Sequence, residues 1–171
     1  MTADSFVCFA YGSNMLTARI RERCASVQTL GVVELRGYEL RWHKRSKDGS
    51  GKCDIVQTAL PGTSVFGVLY KIAVSEKPAL DEAEGLGSGY DEAEIEVFRG
   101  ADRLRAKAYV ATTIDPALKP YFWYRALVIA GAREHGLPAN YVAQLQAVPV
   151  DQDPDRKRHD KNMALIRGVE P

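Results

Sequence analysis

Short apolar runs separated by polar turns make up the first two thirds of the chain. Residues 5–10 (SFVCFA) form the first run, whose length and composition predict a buried strand. More β-rich segments follow, several of them bounded by glycine, proline or charged turns. They lie at residues 29–36, 38–44, 54–60, 65–72, 92–99 and 104–112. The pattern therefore predicts a protein that is mostly sheet up to about residue 113.

Helical patterns interrupt this sheet region twice, at residues 15–24 and 75–85, and replace it after residue 113. Residues 15–24 place apolar positions among arginines, which is typical of a partly exposed helix. After residue 113 the sequence predicts an apolar, buried helix at 119–135, a second helix at 139–147 and a charged helix at 154–167. Strands clustered before helices predict an α+β fold and not a doubly wound parallel sheet.

The length and the charge balance restrict the class of protein. The chain has 171 residues, which suits a single domain at 1–171, with 151–171 as a charged helical tail. Its 23 basic and 22 acidic residues nearly cancel, so we expect no nucleic-acid or membrane partner. Any charged ligand must be held by local groups.

Cysteine and histidine usage indicates neither disulfides nor a metal site. Three cysteines (Cys8, Cys24 and Cys53) are an odd number at no metal-binding spacing, which fits a reducing compartment.

The first residues lack a basic segment followed by a long apolar run, so we expect a cytoplasmic protein. Two glycine-rich stretches, 49–53 and 85–89, lack the residues or the context of a nucleotide-binding loop. No cofactor is predicted.

The junction after the first predicted strand, Tyr11-Gly12-Ser13-Asn14, is the most informative segment. Gly12 lets the backbone come close to a ligand, and Ser13 and Asn14 are residue types that cap helix N-termini. The first N–H groups of a helix have no acceptor inside it, so they can bind a carboxylate or a developing oxyanion. An ordinary capped turn is the alternative interpretation.

A predicted helix at residues 75–85 carries the second informative feature. It has Ser75 as a candidate N-cap, a proline in its first turn and Gly85 just after its end. Asp81, Glu82 and Glu84 crowd its last turn, where negative charge is unfavourable. A solvated acidic face accounts for the first two, whereas Glu84 precedes a glycine-rich stretch that a ligand could approach. A partly desolvated carboxyl there binds its proton more tightly, which suits a general acid/base.

A basic run in a predicted hairpin leaves two interpretations open. Nearby acidic residues favour a solvated strand edge that resists edge-to-edge pairing, and contact with an anionic substrate is the alternative. The run consists of Arg41, His43, Lys44, Arg45 and Lys47.

Four motifs carry a resemblance to a known family. They are FAYGSNM at 9–15, GVLYKI at 67–72, LDEAEG at 80–85 and GAREHGLP at 131–138. In order and spacing, over roughly residues 5–150, the chain resembles the γ-glutamylcyclotransferase family, including its AIG2-like members. Glutathione-specific ChaC-type relatives resemble YGSL where this chain has Asn14, so that branch fits less well.

The resemblance implies a compact mixed-sheet barrel surrounded by helices, with a cavity at one end. Carried over by position, it implies a substrate pocket at residues 11–14, a catalytic Glu84 and a pocket tyrosine at Tyr124. Tyr121 lies one helical turn from Tyr124 on the same face and stays an alternative.

The resemblance also implies a reaction. Family members cyclise a γ-glutamyl compound of glutathione metabolism to 5-oxoproline and release an amino acid or an amine. The substrate's own α-amine is the nucleophile, so neither metal nor cofactor is needed, and orientation supplies much of the acceleration. Glu84 transfers protons, the amides of residues 11–14 hold the α-carboxylate or the oxyanion, and Tyr124 offers a hydroxyl.

Three questions remain open at this level. The same fold could serve a binding or interaction domain without turnover, or a biosynthetic relative that removes a γ-glutamyl group. The leaving group, amino acid or amine, depends on the far wall of the pocket. The chain could act as a monomer or as a homodimer.

Overall fold

A computed structural model describes residues 4–168, so the outermost residues of the predicted domain and tail, 1–3 and 169–171, lie outside it. Within residues 4–168 the chain forms seven strands, five α-helices and two short 3-10 turns. The strands are β1 Ser5–Ala10, β2 Gln28–Arg36, β3 Tyr38–Arg45, β4 Gly51–Gln57, β5 Ser64–Ala73, β6 Tyr90–Arg99 and β7 Asp102–Ala111. The helices are α1 Thr17–Arg21, α2 Lys77–Glu84, α3 Phe122–Glu134, α4 Ala139–Gln146 and α5 Arg156–Met163, and the 3-10 turns are Ser13–Met15 and Val74–Glu76.

Five of the strands close into a barrel in the order β1-β5-β2-β6-β7. A parallel pairing at Cys8 and Lys107 joins β1 to β7, and the other neighbours in the barrel are antiparallel. Strands β3 and β4 form a separate antiparallel hairpin. The predicted α+β class, with a compact barrel surrounded by helices, is confirmed.

Burial explains why these segments are strands. In β6, exposed Glu94 and Glu96 alternate with the buried side chains of Ile95 and Val97, so one face of the strand lines the core. Strand β5 lies between β1 and β2, and most of its side chains are buried, which accounts for its nearly continuous apolar sequence.

The single helix predicted at 15–24 is wrong. The chain instead forms the 3-10 turn Ser13–Met15, an extended residue at Leu16 (φ −71°, ψ 117°) and the short helix α1. Tertiary contacts fix this shape: the buried Tyr70 hydroxyl donates to the Met15 carbonyl (2.7 Å), and α3 packs against the turn at Gly131. A Cβ at Gly131 would lie 2.5 Å from the Leu16 nitrogen, so only glycine permits this contact.

Other boundaries move by a few residues. Pairing with β3 places β4 at Gly51–Gln57 where 54–60 was predicted, and a turn follows it. Ser75 does not cap α2, because that helix begins at Lys77 after a 3-10 turn, with no side-chain cap. Gly85 ends α2 in the left-handed conformation (φ 72°), as its position predicts.

The charged segment after residue 150 packs against the body of the protein. Its helix α5 covers Arg156–Met163 within the predicted range 154–167, and the Asp155 carboxylate caps it by accepting from the Arg158 amide (3.0 Å). Asn162 is buried and accepts a hydrogen bond from Arg19 (2.7 Å). Among residues 4–168, every helix is too short or too polar to span a lipid bilayer.

Candidate active site

A cavity of about 40 Å³ lies at the end of the barrel where β1 and β7 finish and β6 begins. It brings together residues from six separate parts of the chain. All six residues that the sequence singled out are among them, together with Cys8, Phe9, Ala10, Cys53, Tyr90 and Tyr109. The predicted glutamate and the predicted main-chain turn therefore share one cavity.

The turn after β1 lines this cavity and contains backbone donors. Ser13 and Asn14 open the 3-10 turn, so their amide N–H groups have no acceptor inside it. Neither side chain caps the turn, which differs from the expectation, because Asn14 is used elsewhere. Its Nδ2 donates to Glu84 Oε1 across 2.6 Å.

Glu84 lies in a triangle of polar side chains. Its Oε1 accepts hydrogen bonds from Asn14 Nδ2 and from Arg23 Nη1, both at 2.6 Å, and Arg23 Nη1 also donates to Asn14 Oδ1 at 2.9 Å. The side chains of Glu84 and Arg23 are only 15% and 19% exposed, so the guanidinium supplies the counter-charge of a largely buried carboxylate. Oε2 receives no hydrogen bond from any side chain or amide in residues 4–168.

Sequence reasoning missed Arg23. It assigned the arginines of 15–24 to an exposed helix face, and α1 ends at Arg21, before this residue. Arg23 lies four residues after Arg19, a spacing that places both on one face of a helix. This spacing does not predict a contact with Glu84, which lies 61 residues further along the chain.

Two tyrosine hydroxyls are hydrogen-bonded to the Cys53 backbone in the wall of the cavity. The Cys53 amide donates to the Tyr124 hydroxyl (3.1 Å), and the Tyr90 hydroxyl donates to the Cys53 carbonyl (2.6 Å). Burial raises the pKa of Tyr11, Tyr90 and Tyr124 well above the usual value, so all three stay neutral. Tyr124 is the acceptor in its bond with the Cys53 amide, so this bond does not use its hydroxyl proton.

The structure separates the two tyrosines that the sequence left as alternatives. Tyr124 lines the cavity, whereas the Tyr121 hydroxyl donates to the backbone carbonyl of Asp48 (2.9 Å) outside it. Gly12 explains how Tyr124 comes so close to the turn. A Cβ at Gly12 would lie 2.9 Å from the Tyr124 hydroxyl oxygen and 3.2 Å from Cys53 Cβ.

Comparison with known proteins identifies the family. The γ-glutamylcyclotransferases of Mus musculus and Homo sapiens are each 34% identical to this chain, over 158 and 152 residues, which is 85% of the chain and 79% of each relative. The chain belongs to the γ-glutamylcyclotransferase family. A sequence model of the AIG2-like family matches residues 64–145, a range that contains Glu84 and Tyr124. A solved γ-glutamyl cyclotransferase structure, 31% identical, covers 96% of this chain and 99% of its own with a TM-score of 0.87.

These comparisons confirm the family resemblance and the prediction of an enzyme.

In this γ-glutamylcyclotransferase family member, Tyr109 links the cavity to a second charged cluster. Its ring lines the cavity, its carbonyl accepts from the Tyr11 hydroxyl, and its own hydroxyl donates to Asp81 Oδ1 (2.6 Å). Tyr109 thereby ties the flank of α2 to strand β7.

The three cysteines are free thiols inside the core. Burial raises the pKa of Cys8 and Cys53, so these two cavity-lining thiols stay protonated and contribute shape, not charge. Within residues 4–168 no group of three or more histidine, cysteine or acidic side chains is arranged to bind a metal ion.

Proposed function

We propose that this chain cyclises a γ-glutamyl amino acid or γ-glutamylamine to 5-oxoproline and releases the free amino acid or amine. The substrate's α-amine nitrogen forms a bond to its γ-carbonyl carbon, and the bond from that carbon to the leaving nitrogen breaks. The observation that carries the proposal is the 2.6 Å hydrogen bond between Asn14 and Glu84. This bond supports the proposal because it holds Glu84, the proposed proton-transfer group, next to the turn whose main-chain amides are the proposed donors.

Glu84 is the proposed proton carrier. Asn14 and Arg23 hold Oε1 in place, and Oε2 accepts a proton from the substrate's ammonium group, which frees the amine lone pair to attack the γ-carbonyl carbon. The same oxygen then returns this proton to the leaving nitrogen as its bond to that carbon breaks. The ring nitrogen loses a second proton, which the released amine takes up, so the reaction consumes no net proton. General acid/base groups of this kind contribute about 10²- to 10⁴-fold to a rate.

The 3-10 turn is the proposed anion site. The amides of Ser13 and Asn14 and the hydroxyl of Tyr124 are donors on two sides of the cavity, suited to the γ-carbonyl as it becomes an oxyanion or to the α-carboxylate. Four buried tyrosine rings, Tyr11, Tyr90, Tyr109 and Tyr124, line the cavity, and a narrow space of this kind favours a folded substrate.

We propose that the chain acts in the cytoplasm, as a monomer or homodimer, and that its substrates are free γ-glutamyl compounds of glutathione metabolism. Free buried cysteines and a net charge of +1 are consistent with a reducing compartment and with a small-molecule substrate.

The proposal is tested by incubating the purified protein with γ-glutamyl amino acids, glutathione and γ-glutamylamines and measuring 5-oxoproline by mass spectrometry. We expect turnover of at least one compound and a loss of at least about 10²-fold in Glu84→Gln. Glu82→Gln is the matched control, because Glu82 is an exposed carboxylate on the same helix.

Two outcomes would contradict the proposal. Wild-type turnover in Glu84→Gln would exclude Glu84 as the proton carrier. Binding of a panel member without formation of 5-oxoproline would favour a binding domain built on the same fold.

A further inference from the structure

The β3–β4 hairpin carries the basic run whose role the sequence left open. Three of its members are paired: His43 with Asp54 (2.8 Å), Arg45 with Asp115 (2.8 Å), and Arg41 with Glu39. Lys47 is exposed. These contacts explain most of the run as structural or solvated charge.

Lys44 differs from its neighbours, because its side chain forms no ion pair or hydrogen bond with any residue from 4 to 168 although it is half-buried. Its Nζ lies 4.6 Å from the centre of the Tyr90 ring. The same ammonium lies against Gly89, where a Cβ would come within 2.9 Å of it. Residues 85–89 join Glu84 to Tyr90, and both of these line the cavity, so Lys44 lies at its rim.

The position of Lys44 is unfavourable for stability alone. It faces Lys52 directly across the hairpin, and like charges in opposite positions of two strands repel. Lys52 is compensated by Asp48 (2.7 Å) and Ser50 (2.6 Å), whereas the Lys44 ammonium lies over the Tyr90 ring and contacts no carboxylate of residues 4–168. Burial lowers the pKa of Lys44, and the charges of Glu84 and Asp48 oppose that effect. These two carboxylates act on Lys44 from a distance, so within the described part of the chain this half-buried cation has no anion in direct contact.

Chemistry places an anion at this rim during the proposed reaction. Glu84 returns its proton to the leaving nitrogen, so that nitrogen lies beside Glu84. In an amino acid leaving group, the carboxylate is separated from this nitrogen by a single carbon atom. The donors of residues 13–14 serve the glutamyl part of the substrate and belong to the 3-10 turn after β1, whereas Lys44 belongs to the hairpin, next to the loop that follows Glu84.

We propose that Lys44 binds the carboxylate of the leaving amino acid and thereby makes the chain select γ-glutamyl amino acids over γ-glutamylamines. This inference rests on the proposed function. Lys44 is a specificity-determining residue and not part of the proton-transfer machinery, so its removal affects only substrates that carry the carboxylate.

The test compares γ-glutamylalanine with γ-glutamylethylamine, which has a leaving group of similar size without the carboxylate. In Lys44→Gln we expect kcat/KM for γ-glutamylalanine to fall about tenfold, mainly through KM, since the variant loses a charged hydrogen bond. Turnover of γ-glutamylethylamine stays at the wild-type level. Lys44→Arg retains most of the preference, and Lys47→Gln, which removes an exposed lysine of the same hairpin, leaves both substrates unaffected.

Gly89→Ala gives an independent test, because its methyl group must displace the Lys44 ammonium without removing its charge. We expect the same selective loss. Equal losses on both substrates, or no loss on either, in a Lys44→Gln protein with a wild-type melting temperature would overturn the inference alone. A wild-type protein inactive on both substrates would overturn the proposed function, and this inference with it.

Discussion

The helix α2 carries two charged clusters that differ in one respect. On its flank, both Asp81 oxygens are 2.8 Å from Lys77 Nζ, and Oδ1 also accepts from Tyr109. Lys77 and Lys107 both pair with Glu92 on β6. At its end, Glu84 Oε1 accepts from Asn14 and Arg23, whereas Oε2 accepts from no side chain or amide in the described range 4–168.

This difference separates a carboxylate that stabilises the fold from a carboxylate that can exchange a proton with a ligand. Burial disfavours the ionised form of Asp81, but hydrogen bonds from Lys77 and Tyr109 outweigh it and lower its pKa. Glu92 follows the same rule, with Lys107 and Lys77 as donors. A carboxylate with both oxygens engaged ties helix to strand, whereas one with an oxygen facing a cavity can exchange a proton with a ligand.

Gly12→Ala should disrupt the cavity cluster most strongly after Glu84→Gln itself. The new methyl group would lie 2.9 Å from the Tyr124 hydroxyl oxygen, so the turn or α3 must shift. A displacement near 1 Å in an oriented site costs about 10²-fold, which we expect in kcat/KM for 5-oxoproline formation.

Gly62→Ala is unsuitable as the control for Gly12→Ala, because Gly62 has a positive φ of 72° and a side chain there would strain the backbone. The control is Ser88→Ala, a change at an exposed residue. Wild-type activity in Gly12→Ala would show that the contact between turn and tyrosine is dispensable.

Arg23→Gln tests whether the engaged oxygen of Glu84 needs its ion pair. The variant frees a largely buried carboxylate, and we expect kcat to fall by about tenfold or more, as for loss of a charged hydrogen bond, with KM little changed. Steady-state kinetics measure the two parameters. Arg23→Lys, which keeps the charge, should recover part of kcat, and a change confined to KM would assign Arg23 to substrate binding instead.

Tyr124→Phe compares the cavity hydroxyl with its neighbour Tyr121. Removing the hydroxyl leaves the buried Cys53 amide without its acceptor and removes a donor to the substrate, so we expect several-fold slower turnover and about 1 kcal/mol lower stability. Tyr121→Phe, which loses only a bond to the Asp48 carbonyl, should keep its turnover. The reverse order of turnover rates would move the tyrosine's role to Tyr121.

Asp81→Asn should affect turnover least and stability most clearly. We expect a loss of about 1.5 kcal/mol, which lowers the melting temperature by roughly 3–6 °C. Because the folded pKa of Asp81 is lowered, its stabilising contribution is present above the unfolded pKa of about 4 and disappears as the pH falls below it.

The difference in melting temperature between wild type and Asp81→Asn should therefore narrow from pH 7 to pH 3. Thermal denaturation monitored by circular dichroism at both pH values measures it. A difference that persists at pH 3 would mean that Asp81 stabilises the fold through packing and not through charge.

The sequence by itself determined the class of fold and the residues with chemical potential. Alternating apolar positions predict strands wherever one face of a segment is buried, and Gly85 marks the end of α2 because it adopts a left-handed conformation (φ 72°). Four motifs in order were enough to indicate the family. These features depend on local composition and spacing, which a sequence displays directly.

Only the tertiary structure decided which charges meet. The sequence carries no distance between Arg23 and Glu84, or between Lys44 and Gly89, because closure of the barrel and docking of the hairpin create both contacts. The same packing split one predicted helix into a 3-10 turn and α1, as Gly131 and Tyr70 hold Met15 in place. Local propensity is too weak to oppose such buried contacts, so the geometry of the cavity is a property of the folded chain.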